Sequence, residues 1–145
     1  MKIGLFFGSF NPIHIGHLAI ANYLVEFSDL EQLWMIVSPH NPLKKKNSLL
    51  EEHHRYHMVE LALEDDLQIK PSNIEFKLPG PSYTIDSLTY LEKKYEKHEF
   101  VLIMGSDNLE SLQKWKDYKE ITDRYEIYVY PRPGSETEKY KEMYK

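Results

Sequence analysis

Two histidines, His14 and His17, stand three residues apart in the segment GSFNPIHIGH, residues 8–17. The apolar run KIGLFFG ends at Gly8, and a helical pattern begins at about Ile15. A helix N-terminus offers unpaired amide donors and the positive end of the helix dipole. Together these suit a phosphate or another anion. Side chains one turn apart share a helix face, so both imidazoles can meet one anion there. Gly8 and Gly16 leave the backbone bare for close approach, and Pro12 stiffens the connection between them. Donors placed this way stabilise the charge that grows on a phosphoryl group during in-line displacement, with no covalent nucleophile required. A histidine pair at helical spacing, taken alone, is more often a surface feature or a satisfied core contact. Its position straight after a buried strand is what gives it weight.

The elements that would hold these residues are legible as alternating strands and helices. KIGLFFG, QLWMIVS (32–38) and EFVLIMG (99–105) read as buried strands: continuous apolar runs, two of them ended by glycine. Between Ile15 and about Phe27, Leu18, Ile20, Ala21, Leu24 and Val25 fit one helical face. LLEEHHRYHMVELALEDD predicts a second helix, with Leu50, Met58, Leu61 and Ala62 spaced for its inner face. LQIK and IEFKL are short strand candidates around a Pro-Ser-Asn turn. Thr84 is placed to cap the helix IDSLTYLEKKYEK. Asp107 opens a helical stretch towards Trp115, and KEITDR precedes a last strand, YEIYVY. This alternation predicts an α/β fold: a mostly parallel sheet with helices on both faces. Ligands bind at the carboxyl ends of such strands. Attention therefore falls on Gly8–His17, Pro39–Lys46, Pro81–Thr84, Gly105–Asp107 and Arg132–Gly134.

Composition narrows the field. The 145 residues suit a single domain, 1–145, able to bury one sizeable core. A net charge of -5 offers no broad footprint for nucleic acid, so an anion must be held by a local site. With no cysteine there are no disulfides or thiolate metal sites. The stretch IGLFF is too short for a signal h-region, and no run approaches membrane-spanning length. The expectation is a cytoplasmic protein with no membrane partner. EEHHRYH places His53 and His57 at a metal-ligand spacing, but His54 stands where a glutamate would be needed. A mostly exposed helix face is expected there, with no protein metal site.

The ordered motifs resemble a known family. GSFNPIHIGH is similar to the HxGH signature of nucleotidyltransferases, and more specifically to the GGTFDPIHxGH motif of bacterial nicotinate-nucleotide adenylyltransferases. Pro39–Lys46 resembles that family's proline-rich basic loop. Arg55, Met58 and Ala62 resemble its RxxM...A helix, and PSYTIDSL its SYT-x-x-TL segment. IMGSDNL, Trp115 and RPG resemble its G-x-D loop, ring-stacking tryptophan and later arginine motif. The matches run in family order from residue 3 to residue 134. HxGH alone would mark only the superfamily, which includes pantetheine-phosphate adenylyltransferases and cytidylyltransferases. PSYTIDSL together with Trp115 points to the pyridine-nucleotide branch.

The resemblance implies a Rossmann-like nucleotidyltransferase fold. It also implies adenylyl transfer from ATP to nicotinate mononucleotide in NAD biosynthesis, with magnesium. On that reading His14 and His17 bind ATP phosphates and stabilise the transition state. Gly8, Ser9, Phe10 and Gly16 line the ATP side, and Gly105 and Asp107 meet its ribose. Ser9 and Asn11 replace the family's threonine and aspartate. Trp115 stacks on the pyridine ring, while Thr84 and the Lys116 amide hold the nicotinate carboxylate. Lys44 and Arg132 serve the mononucleotide phosphate. Each has an ordinary alternative: Thr84 or Asp107 as a helix cap, Trp115 as core packing, Lys44 as part of a solvated loop. The family continues past RPG to an ISSTxIR-like motif, and nothing in SETEKYKEMYK fits it. A C-terminally truncated member, short of part of its ATP clamp, is therefore expected, and a non-catalytic nucleotide-binding module is the rival from another class. Homo-oligomerisation is left open.

Overall fold

The structure is a computed structural model, and it describes residues 1–8, 10, 13, 15–38, 52–78 and 83–130. Five strands form one sheet: β1 (Lys2–Gly8), β2 (Gln32–Val37), β3 (Ile69–Ser72), β4 (Glu99–Gly105) and β5 (Glu126–Tyr130). Their order is β3-β2-β1-β4-β5, and every neighbouring pair is parallel. Parallel neighbours need crossovers, and α1 (Ile15–Phe27), α2 (Glu52–Leu63), α3 (Thr84–Lys94), α4 (Ser106–Ser111) and α5 (Tyr118–Arg124) alternate with the strands. The expected α/β architecture is therefore present.

Side-chain alternation along the strands builds two cores, one on each face of the sheet. Ile3, Leu5, Ile36, Leu102 and Met104 point to one face, where Leu88 and Leu91 of α3 and Ile121 of α5 cover them. Phe6, Leu33, Met35, Val101 and Ile103 point to the other, under Ala21 of α1 and Val59 and Leu63 of α2. Burial on both faces explains why these strands read as unbroken apolar runs. The central strand also carries Gly4. A Cβ there would fall 2.5 Å from Cδ1 of Ile103 and 2.7 Å from Cδ1 of Leu30. Both are ends of flexible side chains, so Gly4→Ala is expected to overpack the α1–α2 face and cost about 1–3 kcal/mol. Urea unfolding checks this; a midpoint at or above wild type would show that Ile103 and Leu30 yield freely.

Two elements differ from the sequence reading. IEFKL is not a strand: Ile74–Lys77 forms a 3-10 helix, and the strand before it runs through the expected turn to include Pro71 and Ser72. Proline is tolerated there because β3 is an edge strand. The inner face of α2 is also different. Met58, Leu61 and Ala62 are exposed, whereas Arg55, Val59 and Leu63 are buried. A buried arginine interrupts the apolar periodicity, so the pattern pointed about a quarter-turn off. Leu50 lies outside the described residues. His53, His54 and His57 are exposed, as expected for that face. Among the described residues no helix is long and apolar enough to cross a membrane.

Candidate active site

From β1 the chain moves outward to β2 and β3, then returns to place β4 on the other side of β1. The sheet therefore changes direction between β1 and β4, and sheets of this kind bind ligands beyond the carboxyl ends at such a point. β1 ends there at Gly8 and β4 at Gly105. The loop-to-α1 segment and the β4-to-α4 junction, identified from sequence, thus share one end of the sheet. Gly16 and His17 fall in the first turn of α1, both half-buried. Ser9, Asn11, Pro12, His14, Lys44 and Arg132 lie outside the described residues.

The residue that shapes the first loop is Phe10. It is 2% exposed and has a left-handed backbone, φ 46°. That conformation is strained for a bulky residue, and such strain gathers at functional loops. Its ring stands perpendicular to the His17 ring at 5.0 Å between centroids and to Phe6 at 5.7 Å. A Cβ on Gly8 would lie 3.0 Å from two atoms of the Phe10 ring. Gly8 is thus bare because Phe10 plugs the space beneath the loop. With its ring buried, Phe10 has its backbone left to offer a ligand, and its ring supports His17.

A second loop reaches the same end of the sheet after β4. α4 begins at Ser106, one residue earlier than expected, and Ser106 is fully buried. Asp107 is the second residue of α4, and its side chain lies outside the described residues. A 3-10 segment, Leu112–Lys114, then delivers Trp115, which is half-buried against the α3-side core. Helix α5 then starts from Asp117, φ 52°, the other non-glycine residue with positive φ among those described. Phe10 belongs to a loop that sequence reasoning selected, whereas Asp117 lies just past Trp115 and Lys116, outside those loops.

The Trp115 loop docks on α3. The Lys116 ammonium pairs with Asp86 at 3.4 Å and lies 4.9 Å from the centre of the Tyr83 ring. Thr84 is the first residue of α3, not its cap: the N-cap is Tyr83, which makes no side-chain capping bond. The Tyr83 carbonyl accepts from the amides of Asp86 and Ser87, at 3.1 and 3.2 Å. The structure thus brings Thr84 and Lys116 to adjoining elements, although 32 residues separate them in sequence.

Near the carboxyl end of β2 lies a polar cluster that the sequence did not reveal. Glu75, from the 3-10 helix, is 3% exposed and accepts a hydrogen bond from the Ser87 hydroxyl at 2.5 Å. The Ser38 hydroxyl lies near the same carboxyl. Burial pushes the Glu75 carboxyl above the usual carboxylate range, and the two hydroxyls pull it partly back. Ser38 also donates its amide to the Gly8 carbonyl at 2.8 Å and accepts from Nη1 of the fully buried Arg55 at 2.7 Å. IEFKL was expected to be a short strand; the 3-10 turn instead places Glu75 inside.

Comparison with known proteins follows the same outline. The Cytidylyltransferase-like family model matches residues 5–144. A Flavobacterium johnsoniae protein named a probable nicotinate-nucleotide adenylyltransferase is 60% identical over 138 residues, which is 95% of this chain and 72% of that protein. A Bacteroides fragilis protein of the same name is 48% identical over 138 residues, 95% of this chain and 69% of its own length. Among solved structures, a Plasmodium falciparum nicotinic acid mononucleotide adenylyltransferase complexed with NaAD has the same fold. Its TM-score is 0.71 at 17% identity, covering 93% of this chain and 77% of that one.

Proposed function

We infer that this chain, which belongs to the nicotinate-nucleotide adenylyltransferase family, transfers the adenylyl group of ATP to nicotinate mononucleotide. A phosphate oxygen of the mononucleotide attacks the α-phosphorus of ATP, the α–β bridging bond breaks, and pyrophosphate leaves. The observation that carries this reading is the docking of the Trp115–Lys116 loop on the first turn of α3 through Asp86 and Tyr83. It joins a ring-bearing loop to a helix N-terminus, as recognition of a nicotinate ring and its carboxylate demands.

His17 and His14, with the α1 amides, would neutralise the charge that builds on the ATP phosphates. Gly8, Ser9, Phe10 and Gly16 would line that side through backbone donors, and Gly105 and Asp107 would meet the adenosine ribose. Trp115 would stack on the pyridine ring. Thr84 and the Lys116 amide would hold the carboxylate, favoured by the positive end of α3. Lys44 and Arg132 would serve the mononucleotide phosphate as local cations. The donors at the end of β1, an imidazole and helix amides, suit phosphate oxygens rather than a metal. Magnesium would therefore be held chiefly by ATP, screening its negative charge. The reaction belongs in a cytoplasmic setting, where both nucleotides are available.

Pyrophosphate release with ATP and magnesium tests the reading, with nicotinate and nicotinamide mononucleotides compared. Release with the acid and little with the amide is expected. Equal use would undercut the roles of Thr84 and Lys116, release only with phosphopantetheine would point to another HxGH enzyme, and nucleotide binding without release would favour a non-catalytic module. Trp115→Ala is expected to raise the KM for the mononucleotide about 10-fold or more, because stacking on one base is worth about 1–3 kcal/mol. The KM for ATP should stay near wild type; equal effects on both substrates would place the ring elsewhere.

A further inference from the structure

The candidate site is assembled from loops that share no strand, so something must hold them in register. One buried side chain connects them. Glu75 accepts from the Ser87 hydroxyl, on the first turns of α3 just beyond Thr84, at 2.5 Å. The Ser38 hydroxyl, at the end of β2, lies close enough to the same carboxyl to favour its charged form. Ser38 in turn holds the Gly8 carbonyl through its amide at 2.8 Å. A chain of contacts thus runs from the loop beside His17, through Ser38 and Glu75, to the helix start that carries Thr84.

We propose that Glu75 is a positioning residue: its carboxyl locks the Gly8 loop and the first turn of α3 in register, so that the two bound nucleotides meet in line. This rests on the reading of function given above. A carboxylate is an expensive way to fill a core, since burial without full ionic pairing disfavours it. Among the described residues Glu75 is the buried carboxyl, held by hydroxyls and not by an ion pair. A carboxyl has acceptor capacity for more than one hydroxyl. Its cost in stability is offset by alignment.

The signature of such a role is a loss of turnover without a matching loss of binding. Each nucleotide touches one side of the bridge, so each still binds alone when the bridge slackens. The reacting atoms, which must approach to about 3 Å, lose their alignment. Glu75→Gln keeps the shape, removes the charge and replaces one acceptor oxygen by a donor. It is expected to lower kcat about 10-fold, a modest share of the roughly 100-fold that misplacement by an ångström can cost. Dissociation constants for ATP and for nicotinate mononucleotide, each measured alone, should change less than about 2-fold, and the melting temperature should not fall below wild type. Ser87→Ala should reproduce the loss in kcat. The double variant should be no slower than the slower single one, because the two act as one unit.

Wild-type kcat in Glu75→Gln would overturn the proposal while leaving the enzymatic reading intact. So would a loss in kcat matched by weaker binding and a lower melting temperature, which is what a merely structural group produces. Additive losses in the double variant would also overturn it. A wild-type protein that releases no pyrophosphate would instead sink the functional reading, and this inference with it.

Discussion

His17→Ala is expected to lower kcat by about 100- to 1,000-fold, the range lost when one donor to a transition-state oxyanion is removed. His17 stands in the first turn of α1, where the helix amides already favour a phosphate group. A charge that exists only partly in the bound substrate and fully in the transition state gains most from a donor fixed in advance. The structure shows how the donor is fixed. Phe10 is driven into a left-handed conformation and buried, and its ring stands edge-to-face against the imidazole. Loss of that contact should cost no more than about 0.5–1.5 kcal/mol. The melting temperature should therefore fall by a few degrees at most, at about 2–4 °C per kcal/mol for a protein of this size. Pyrophosphate release and a thermal melt on the same preparation check the two halves. Near-normal turnover would remove His17 from the chemistry, and a collapse in stability would make it a packing residue.

The contrast between what could and could not be read from sequence is instructive at this site. Strands β1, β2 and β4 were legible because both their faces are buried, which forces continuous apolar runs, and because Gly8 and Gly105 stop two of them. Strand ends locate ligands in such folds, so the loops followed. The errors occur where polar groups are buried. Arg55 turned the inner face of α2 away from Met58, Leu61 and Ala62, because an apolar count scores arginine as exposed. Glu75 disappeared into a supposed strand because an alternating Ile-Glu-Phe-Lys pattern mimics a half-buried one. Thr84 looked like a cap, yet Tyr83 holds that position, leaving Thr84 as the first helical residue. Buried polar residues are specified by three-dimensional partners, such as Ser38 and Ser87, that no local pattern announces.

The largest stability effect should come from one of those residues. Arg55→Ala is expected to cost about 2–5 kcal/mol, the range for truncating a large buried side chain. Arg55 is fully buried, points inward with Val59 and Leu63, and donates to the Ser38 carbonyl at 2.7 Å. Truncation takes away a charge-assisted hydrogen bond, worth about 1.5–3 kcal/mol, and leaves a void the size of a long side chain, which adds its own cost. Urea unfolding measures the sum, and a loss under about 1 kcal/mol would contradict it. Arg55→Met separates the two contributions. Methionine refills much of the volume and removes a buried charge, a replacement that can be neutral or even stabilising, so much of the stability should return. Turnover should not return with it. Ser38 is held from one side by Arg55 and itself holds the Gly8 carbonyl. Without the guanidinium, the end of β2 is free to drift, and the loop that presents the α1 amides drifts with it. A stable Arg55→Met protein with depressed kcat would show that this arginine orders the phosphate loop. A stable variant with full turnover would confine Arg55 to packing.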